Sequence, residues 1–210
     1  MQAARGTPLS PRGDSEPETH PTPSPRRLRG TFALCALAAY AVDLVTKSLA
    51  LARLEGRDPI EVLGPVLRLT LVFNPGAAFS TGTSFTVALS LLAATAVVVV
   101  LVLSRRVGTT GWAVALGLLL GGVSGNLTDR IFREPGPLRG HVIDFLQLPH
   151  WPVFNVADMC INAAAALIIW QSWRGVPMRG RLATVRTEES APVEPAERLA
   201  RAQRRRRRSE

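Results

Sequence analysis

The sequence predicts an all-α membrane protein: a bundle of four transmembrane helices with a small extracytoplasmic β-sheet and a disordered tail at each end. Hydrophobic residues make up 47% of the 210-residue chain, and they are concentrated between residues 30 and 173. Within that region, four segments approach the roughly 20 mostly apolar residues that a helix needs to cross a hydrocarbon core. The chain therefore divides into an N-terminal tail (1–29), a membrane domain (30–173) and a basic C-terminal tail (174–210).

Both tails are rich in Pro, Ser and charged residues, so neither can bury enough apolar surface to offset the entropy of ordering it. The C-terminal tail ends in five consecutive arginines, Arg204–Arg208, and contributes much of the net charge of +9. This run could contact anionic lipid or RNA, or it could be a solvated cytoplasmic segment that helps to fix topology. We favour the second interpretation and expect no nucleic-acid partner, because no aromatic residue is interleaved to stack on bases.

The four predicted spans differ in polarity. The second has only small hydroxyl residues among its apolar ones, so we expect it to be the most exposed to lipid, whereas the other three carry polar residues. In chain order the spans are Thr31–Leu51, Ser84–Leu103, Gly111–Leu127 and Val153–Trp173.

Basic residues near the ends of the spans predict their orientation. They precede the first span, separate the second from the third and follow the fourth, so both termini are expected in the cytoplasm. These residues are Arg26, Arg27, Arg29, Arg105, Arg106, Arg174, Arg179 and Arg181. A cleaved signal peptide ending near Ala39–Ala41 is the alternative for the first span. It is disfavoured because the apolar run continues beyond that point.

The loop after the first span contains a predicted β-strand. In the segment VLRLTLVF, residues 66–73, leucines and a phenylalanine alternate with other residues, and this period of two is typical of a half-buried strand. Pro75 and Gly76 then predict a turn. A small sheet is therefore expected at the outer surface.

The cysteine and histidine residues predict no metal site and no cofactor. Cys35 and Cys160 both lie in apolar runs, and no CxxC or HExxH motif occurs in the chain. Neither Cys160 nor Ser124 has a base in an activating motif, which disfavours a serine or cysteine peptidase.

Ionisable residues in or near the spans are candidates for function. Asp43 and Lys47 are four residues apart on one helical face, so they could form an ion pair within the helix, with Lys47 extending toward the interface. The segment GGVSGNLTDR, residues 121–130, has small residues that permit close helix packing. It ends in Asp129 beside Arg130, which predicts a structural ion pair.

Asp144 and Asp158 have no neighbouring Lys or Arg in the sequence, so they could instead be partners of each other. Two close carboxyl groups cannot both ionise easily, and a shared proton would provide one acid and one base to activate water. Two alternatives remain open: a small transporter or proton or ion relay that uses the same acids, and a membrane assembly subunit.

Five motifs, in this order, resemble those of lipoprotein signal peptidase, the signal peptidase II family of bacteria. They are DLVTK (43–47), NPGAAFS (74–80), GGVSGNLTDR (121–130), HVIDF (141–145) and FNVAD (154–158). The resemblance covers roughly residues 30–173, and the five motifs together are specific where any one alone is weak. Thr128, Pro75 and the Met-Cys pair after Asp158 depart from the usual pattern without removing a matched polar residue.

The resemblance implies a membrane-embedded aspartic endopeptidase that removes signal peptides from prolipoproteins, just before a cysteine carrying diacylglycerol. It implies that water is the nucleophile, that no cofactor is needed, and that the partners are lipid-modified prolipoproteins and membrane lipids. The active site is expected near the outer face of the cytoplasmic membrane, with Asp144 and Asp158 as the catalytic dyad. The supporting positions that it implies are Asp43, Lys47, Asn74, Gly122, Asn126, Asp129, Arg130, Asn155 and Ala157.

Overall fold

The computed structural model describes residues 23–76 and 82–179, with backbone alone for residues 82–84. It contains four helices, each long and apolar enough to cross a membrane. They are α1 (Pro25–Leu54), α2 (Gly82–Ser104), α3 (Thr110–Phe132) and α4 (Val156–Trp173). The prediction of a four-helix membrane bundle is confirmed.

The helix ends differ from the predicted spans because capping residues, rather than the apolar run, set where a helix begins. Ser24 accepts a hydrogen bond from the N–H of Arg27, so α1 begins at Pro25, six residues before the predicted span. Residues 25–29, which the sequence analysis placed in the tail, are therefore the first turns of α1. Residues 174–179, also placed in a tail, contact the bundle: the N–H of Gly108 donates to the carbonyl oxygen of Met178 at 2.7 Å, and Trp112 Nε1 donates to that of Val176 at 3.0 Å. Residues 1–22 and 180–210 of the predicted tails lie outside the described part of the chain.

Helix α3 is at the centre of the bundle, and α1, α2 and α4 all pack against it. Two glycines of α3 make the approach of its neighbours very close. A Cβ atom at Gly121 would lie 2.6 Å from the carbonyl oxygen of Ala36 in α1, and one at Gly122 would lie 2.6 Å from that of Ala157 in α4. The predicted packing role of these small residues is thus confirmed.

A three-stranded antiparallel sheet covers the end of the bundle at which α1 and α3 end. Its order is β1 (Ile60–Glu61), β2 (Arg68–Asn74) and β3 (Val142–Gln147). The predicted strand corresponds to β2, but a register irregularity lies between Leu69 and Val72. Because such an irregularity moves later side chains to the other face, Phe73 is half-exposed instead of facing inward.

A small apolar cluster attaches the sheet to the bundle. Ala50 and Leu54, in the last turns of α1, pack against Phe145 of β3, and Leu69 and Leu71 of β2 pack on the same cluster. This packing fixes β3, and with it the backbone of the neighbouring residue 144, against the ends of the helices.

Candidate active site

Asp144 is buried in the middle of β3, with only 2% of its surface exposed. Each of its oxygens accepts one hydrogen bond from an asparagine side chain. Asn155 Nδ2 donates to Oδ1 at 2.6 Å, and Asn74 Nδ2, at the end of the neighbouring strand β2, donates to Oδ2 at 2.8 Å. Asn74 Oδ1 in turn accepts the N–H of Gly76 at 2.8 Å, which orients the amide.

Asn155 contacts both aspartates, because it is the N-cap of α4. Its side-chain oxygen accepts the N–H of Asp158 at 3.0 Å, and its own N–H donates to Asp158 Oδ2 at 3.3 Å, which completes a capping box. Its Nδ2 group donates to Asp144. One fully buried residue therefore joins the two carboxylates, which are fourteen positions apart in the chain.

Asn126 of α3 connects this pair to the rest of the bundle. Its Nδ2 donates to Asp158 Oδ1 at 2.9 Å, while its Oδ1 accepts from Asn155 Nδ2 at 3.2 Å and from Lys47 Nζ at 2.9 Å. Asp158 is half-buried, in contrast to the closed surroundings of Asp144.

Lys47, the only lysine in the chain, lies at the centre of a buried ionic cluster. Its ammonium is 2.8 Å from Asp43 Oδ2, 2.8 Å from Asp129 Oδ2 and 2.9 Å from Asn126 Oδ1. The predicted pair with Asp43 is present, but Lys47 does not extend toward the interface. Its side chain has no exposed surface, because all three of its donors have acceptors inside the bundle.

Asp43 and Asp129, the two carboxylates of this cluster, each accept a backbone N–H next to Asp158 or Asp144. Asp43 Oδ1 accepts the N–H of Ala157, next to Asp158, at 2.9 Å. Asp129 Oδ2 accepts the N–H of Ile143, next to Asp144, at 3.3 Å. The cluster thus fixes where α4 begins and where β3 lies.

The predicted ion pair between Asp129 and Arg130 is wrong. Asp129 pairs with Lys47 and with Arg133, one helical turn after it, because adjacent residues on a helix do not face each other. The i,i+4 spacing of Asp129 and Arg133 was the signal in the sequence that could have identified this partner.

Arg130 is close to Gly76, at which a Cβ atom would lie 3.9 Å from both terminal guanidinium nitrogens. Its Nη1 atom is buried, and among the described residues it has no hydrogen-bond partner. This nitrogen is a cationic donor beside the turn that follows Asn74.

The small residues implied as supporting positions lie where α3 and α4 meet. Ala157 is fully buried, and a Cβ atom at Gly122 would collide with its carbonyl oxygen and with Ile161 Cγ1 at 2.9 Å. A larger residue at either position would push the start of α4, and Asp158 with it, away from Asn126.

Burial, together with the charge of Asp158, raises the pKa of Asp144 to about 6, while the hydrogen bonds from Asn74 and Asn155 oppose this shift. In the described part of the chain, no group of three His, Cys, Asp or Glu side chains is placed to hold a metal ion. Asp144 and Asp158 are two carboxyl groups joined through Asn155. Such a pair can donate and accept protons in general acid–base chemistry on a bound water.

Strand β3 and two contacts of α2 were not predicted from the sequence. Thr86 Oγ1 donates to the carbonyl oxygen of Pro75 at 2.7 Å, and Ser90 Oγ donates to that of Leu138 at 2.7 Å. These bonds attach α2 to the turn after β2 and to the loop before β3. The signal in the sequence that could have indicated these contacts was the presence of small hydroxyl residues in an otherwise apolar span.

Residues 35–174 match the sequence model of a protein family that is described as signal peptidase (SPase) II. The chain belongs to the signal peptidase II family. Membership makes it a peptidase, a hydrolase of the membrane, and the matched region contains every polar residue of the site described above.

Similar proteins support this assignment. A lipoprotein signal peptidase of Mycobacterium avium is 46% identical over 162 residues, which are 77% of this chain and 87% of that protein. Another, from Streptomyces coelicolor, is 47% identical over 155 residues, 74% of this chain and 76% of the relative.

The fold of this signal peptidase II family member is also similar to solved structures. A chain described as a bacterial membrane enzyme, solved at 1.9 Å resolution, matches with a TM-score of 0.59 and 27% identity, covering 67% of this chain and 90% of that one. A second bacterial membrane enzyme matches with a TM-score of 0.60 at 24% identity over 72% of this chain and 93% of the other, and this likeness supports the fold alone.

Proposed function

We propose that the protein removes signal peptides from diacylglyceryl-modified prolipoproteins at the outer face of the cytoplasmic membrane, with Asp144 and Asp158 acting on a water molecule. The observation that carries this proposal is that Asn155 hydrogen-bonds both carboxylates, while the Lys47 cluster fixes the backbone next to each. The relatives named lipoprotein signal peptidase support the choice of substrate.

In the proposed reaction, Asp144 holds the proton that the two acids share, because it is the member that is almost fully buried. Asp158 accepts a proton from water as the water oxygen attacks the scissile carbonyl carbon, and Asp144 donates its proton to the carbonyl oxygen. As the tetrahedral intermediate collapses, one of its hydroxyl groups returns a proton to Asp144, the C–N bond breaks, and the leaving amine takes up the proton held by Asp158. Water is the nucleophile, so no covalent acyl-enzyme forms.

Asn74 and Arg130 orient the substrate in this proposal. Arg130 offers the unpartnered, buried Nη1 group noted above, a strong donor for a carbonyl or ester oxygen. Asn74 holds Asp144 directly and begins the turn that passes next to Arg130. Together they would place the scissile bond within reach of both carboxyl groups.

The proposed orientation follows from charge. Arg105 and Arg106 lie between α2 and α3, and Arg174 follows α4, at the end of the bundle opposite the sheet. Basic residues favour the cytoplasmic side, so the sheet and the aspartate pair would lie at the outer face. A substrate tethered there by its lipid would present its scissile bond at the same depth.

The transporter or relay alternative has no comparable support. In the described part of the chain, the polar contacts of Lys47 and its three acceptors lead toward the sheet, and α3 packs against α1 through Gly121 on the side away from the sheet. A relay would need polar groups to continue across the bundle.

Incubation of the purified protein with a diacylglyceryl-modified precursor tests the proposal, with a gel shift as the readout. We expect cleavage immediately before the modified cysteine and none of the same precursor without lipid. Ion or proton flux through liposomes without any proteolysis would contradict the proposal and would instead support the relay.

A further inference from the structure

A cavity of about 500 Å³ lies at the end of the sheet where β2 begins and β3 ends. Pro65 and Arg68, from the β1–β2 hairpin, and residues 147–151, which follow the buried part of β3, form its walls. Arg68 and Gln147 are paired across β2 and β3. The two strands that hold Asn74 and Asp144 therefore also build this cavity, at their opposite ends.

The cavity is within reach of a peptide bound at the aspartate pair. Asp144 and Gln147 are three residues apart on β3, which is roughly 10 Å at the rise of a β-strand. An extended peptide advances at nearly the same rate, about 3.3 Å per residue. A substrate cut at Asp144 would therefore bring a residue three or four positions from the cut to the cavity. With the sheet at the outer face, as proposed above, that residue belongs to the mature part, after the cut.

The polar groups in the cavity wall suit a peptide. Arg68 Nε is buried and has no hydrogen-bond partner among the described residues. Arg68 Nη2 pairs with Glu61 at 3.0 Å, but the two side chains are 43% and 54% exposed. Exposed pairs of this kind are weak, so a substrate carboxylate or carbonyl oxygen can replace Glu61. Gln147 adds an amide, and Trp151, 64% exposed, adds an apolar surface.

The loop that forms one wall is closed at its base. The N–H of Phe154 donates to the carbonyl oxygen of Leu146 at 2.9 Å, and the N–H of Leu146 donates to that of Phe154 at 2.9 Å. At its tip, His150 has φ +59°, a conformation that side chains other than glycine rarely adopt. The two backbone hydrogen bonds between Leu146 and Phe154 fix the ends of this loop beside β3.

We propose that this cavity is a subsite for the mature part of the substrate, binding the third and fourth residues after the cut, with the lipid-bearing cysteine counted as the first. The inference rests on the proposed function, because it takes the cut to occur at Asp144 and Asp158. The subsite favours an acidic side chain over a basic one, since Arg68 and His150 line it and no Asp or Glu is among its described lining residues.

Lipidated peptides of graded length test the inference. Purified full-length protein is assayed with diacylglyceryl peptides that end at the first, second or fourth residue after the cut, and kcat and KM are measured separately. Extension to the fourth residue should lower KM at least threefold with little change in kcat, and Asp at the third position should lower KM more than Lys. Arg68→Ala should remove both effects. Arg57→Ala, a change at an exposed arginine outside the cavity, should retain them.

Four results would overturn the inference or its basis. If Arg68→Ala retains the wild-type dependence on length and charge, the subsite is wrong. If Arg68→Ala slows every peptide by the same factor, Arg68 only supports the sheet, and the subsite is again wrong. If the wild-type protein cleaves all lengths equally, the subsite alone fails, whereas no cleavage of any lipidated peptide would overturn the proposed function itself.

Discussion

Asp144 shows how position within the fold decides the chemistry of a single residue. On an exposed loop the same carboxyl group would have the ordinary pKa of an aspartate, but burial raises its pKa to about 6. Asn74 and Asn155 donate hydrogen bonds that stabilise the ionised form and so limit the shift. Burial therefore favours the protonated form of Asp144, and the hydrogen bonds from the two amides favour its ionised form.

This balance predicts the pH dependence of cleavage. If Asp144 must be protonated, kcat/KM should fall as the pH rises above about 6. Asn74→Ala removes a hydrogen bond to the ionised form, so the pKa of Asp144 should rise and the alkaline limb should move to higher pH. Profiles of kcat/KM against pH for the wild type and the variant measure this shift.

Thr70→Ala, on the same strand, is the matched control and should leave the alkaline limb of the pH profile at its wild-type position. Movement of the limb to lower pH in Asn74→Ala, or the same movement in both variants, would show that Asp144 is not the group that titrates.

At the scale of secondary-structure elements, the buried ionic cluster positions both β3 and α4. Lys47 neutralises Asp43 and Asp129, and these hold the N–H groups of Ala157 and Ile143. Small apolar packing alone would leave the strand and the helix start free to shift relative to each other. The cluster joins them through directional bonds.

Replacing Lys47 should destabilise the protein strongly. Lys47→Met leaves two buried carboxylates without their shared cation, a change that typically costs roughly 3–5 kcal/mol. The melting temperature in detergent should fall clearly, and a second change, Asp43→Asn, should recover part of the loss. Because the side chain of Lys47 has no exposed surface, amine-reactive reagents should leave Lys47 unmodified in the folded wild-type protein. Rapid modification of Lys47 in the folded wild type would contradict the buried cluster.

Asp129→Asn should have a milder effect than loss of a dyad member. The amide oxygen can still accept the N–H of Ile143, but the charge that pairs with Lys47 and Arg133 is lost. We expect lower abundance or reduced turnover, with measurable cleavage remaining. Complete loss of activity in a variant that folds normally would place Asp129 among the catalytic groups.

Sequence patterns predicted the helices better than the sheet, and the reason is physical. Long apolar runs identified four spans, whereas β3 is buried along residues 142–145, so it lacks the alternation that marks a half-exposed strand. Asp144 and Asp158 were singled out by their lack of local cations. Their connection through Asn155 could not be predicted, because it depends on how β3 packs beside the first turn of α4.

At the scale of the whole molecule, the two ends of the bundle differ in the residues that they carry. The aspartate pair and the sheet lie at one end of the bundle, and Arg105, Arg106 and Arg174 lie at the other. The positive-inside tendency assigns the basic end to the cytoplasm. The substrate subsite proposed above would then face outward, toward the mature part of a translocated precursor.

Labelling of engineered cysteines tests this orientation. In a background in which Cys35 and Cys160 are replaced by alanine, a membrane-impermeant maleimide should modify Arg57→Cys in intact spheroplasts. Arg106→Cys should react only after the membrane is broken. The reverse pattern would place the aspartate pair on the cytoplasmic side and contradict the proposed localisation.

Cleavage by Asp144→Asn and Asp158→Asn variants tests the central claim most directly. Each change preserves shape but removes a proton donor or acceptor, so each should lower the rate on a diacylglyceryl-modified precursor by more than roughly 100-fold. Both variants should still accumulate in membranes and melt near the wild-type temperature. Processing of the precursor at the wild-type rate by either folded variant would show that these two aspartates are not the catalytic pair.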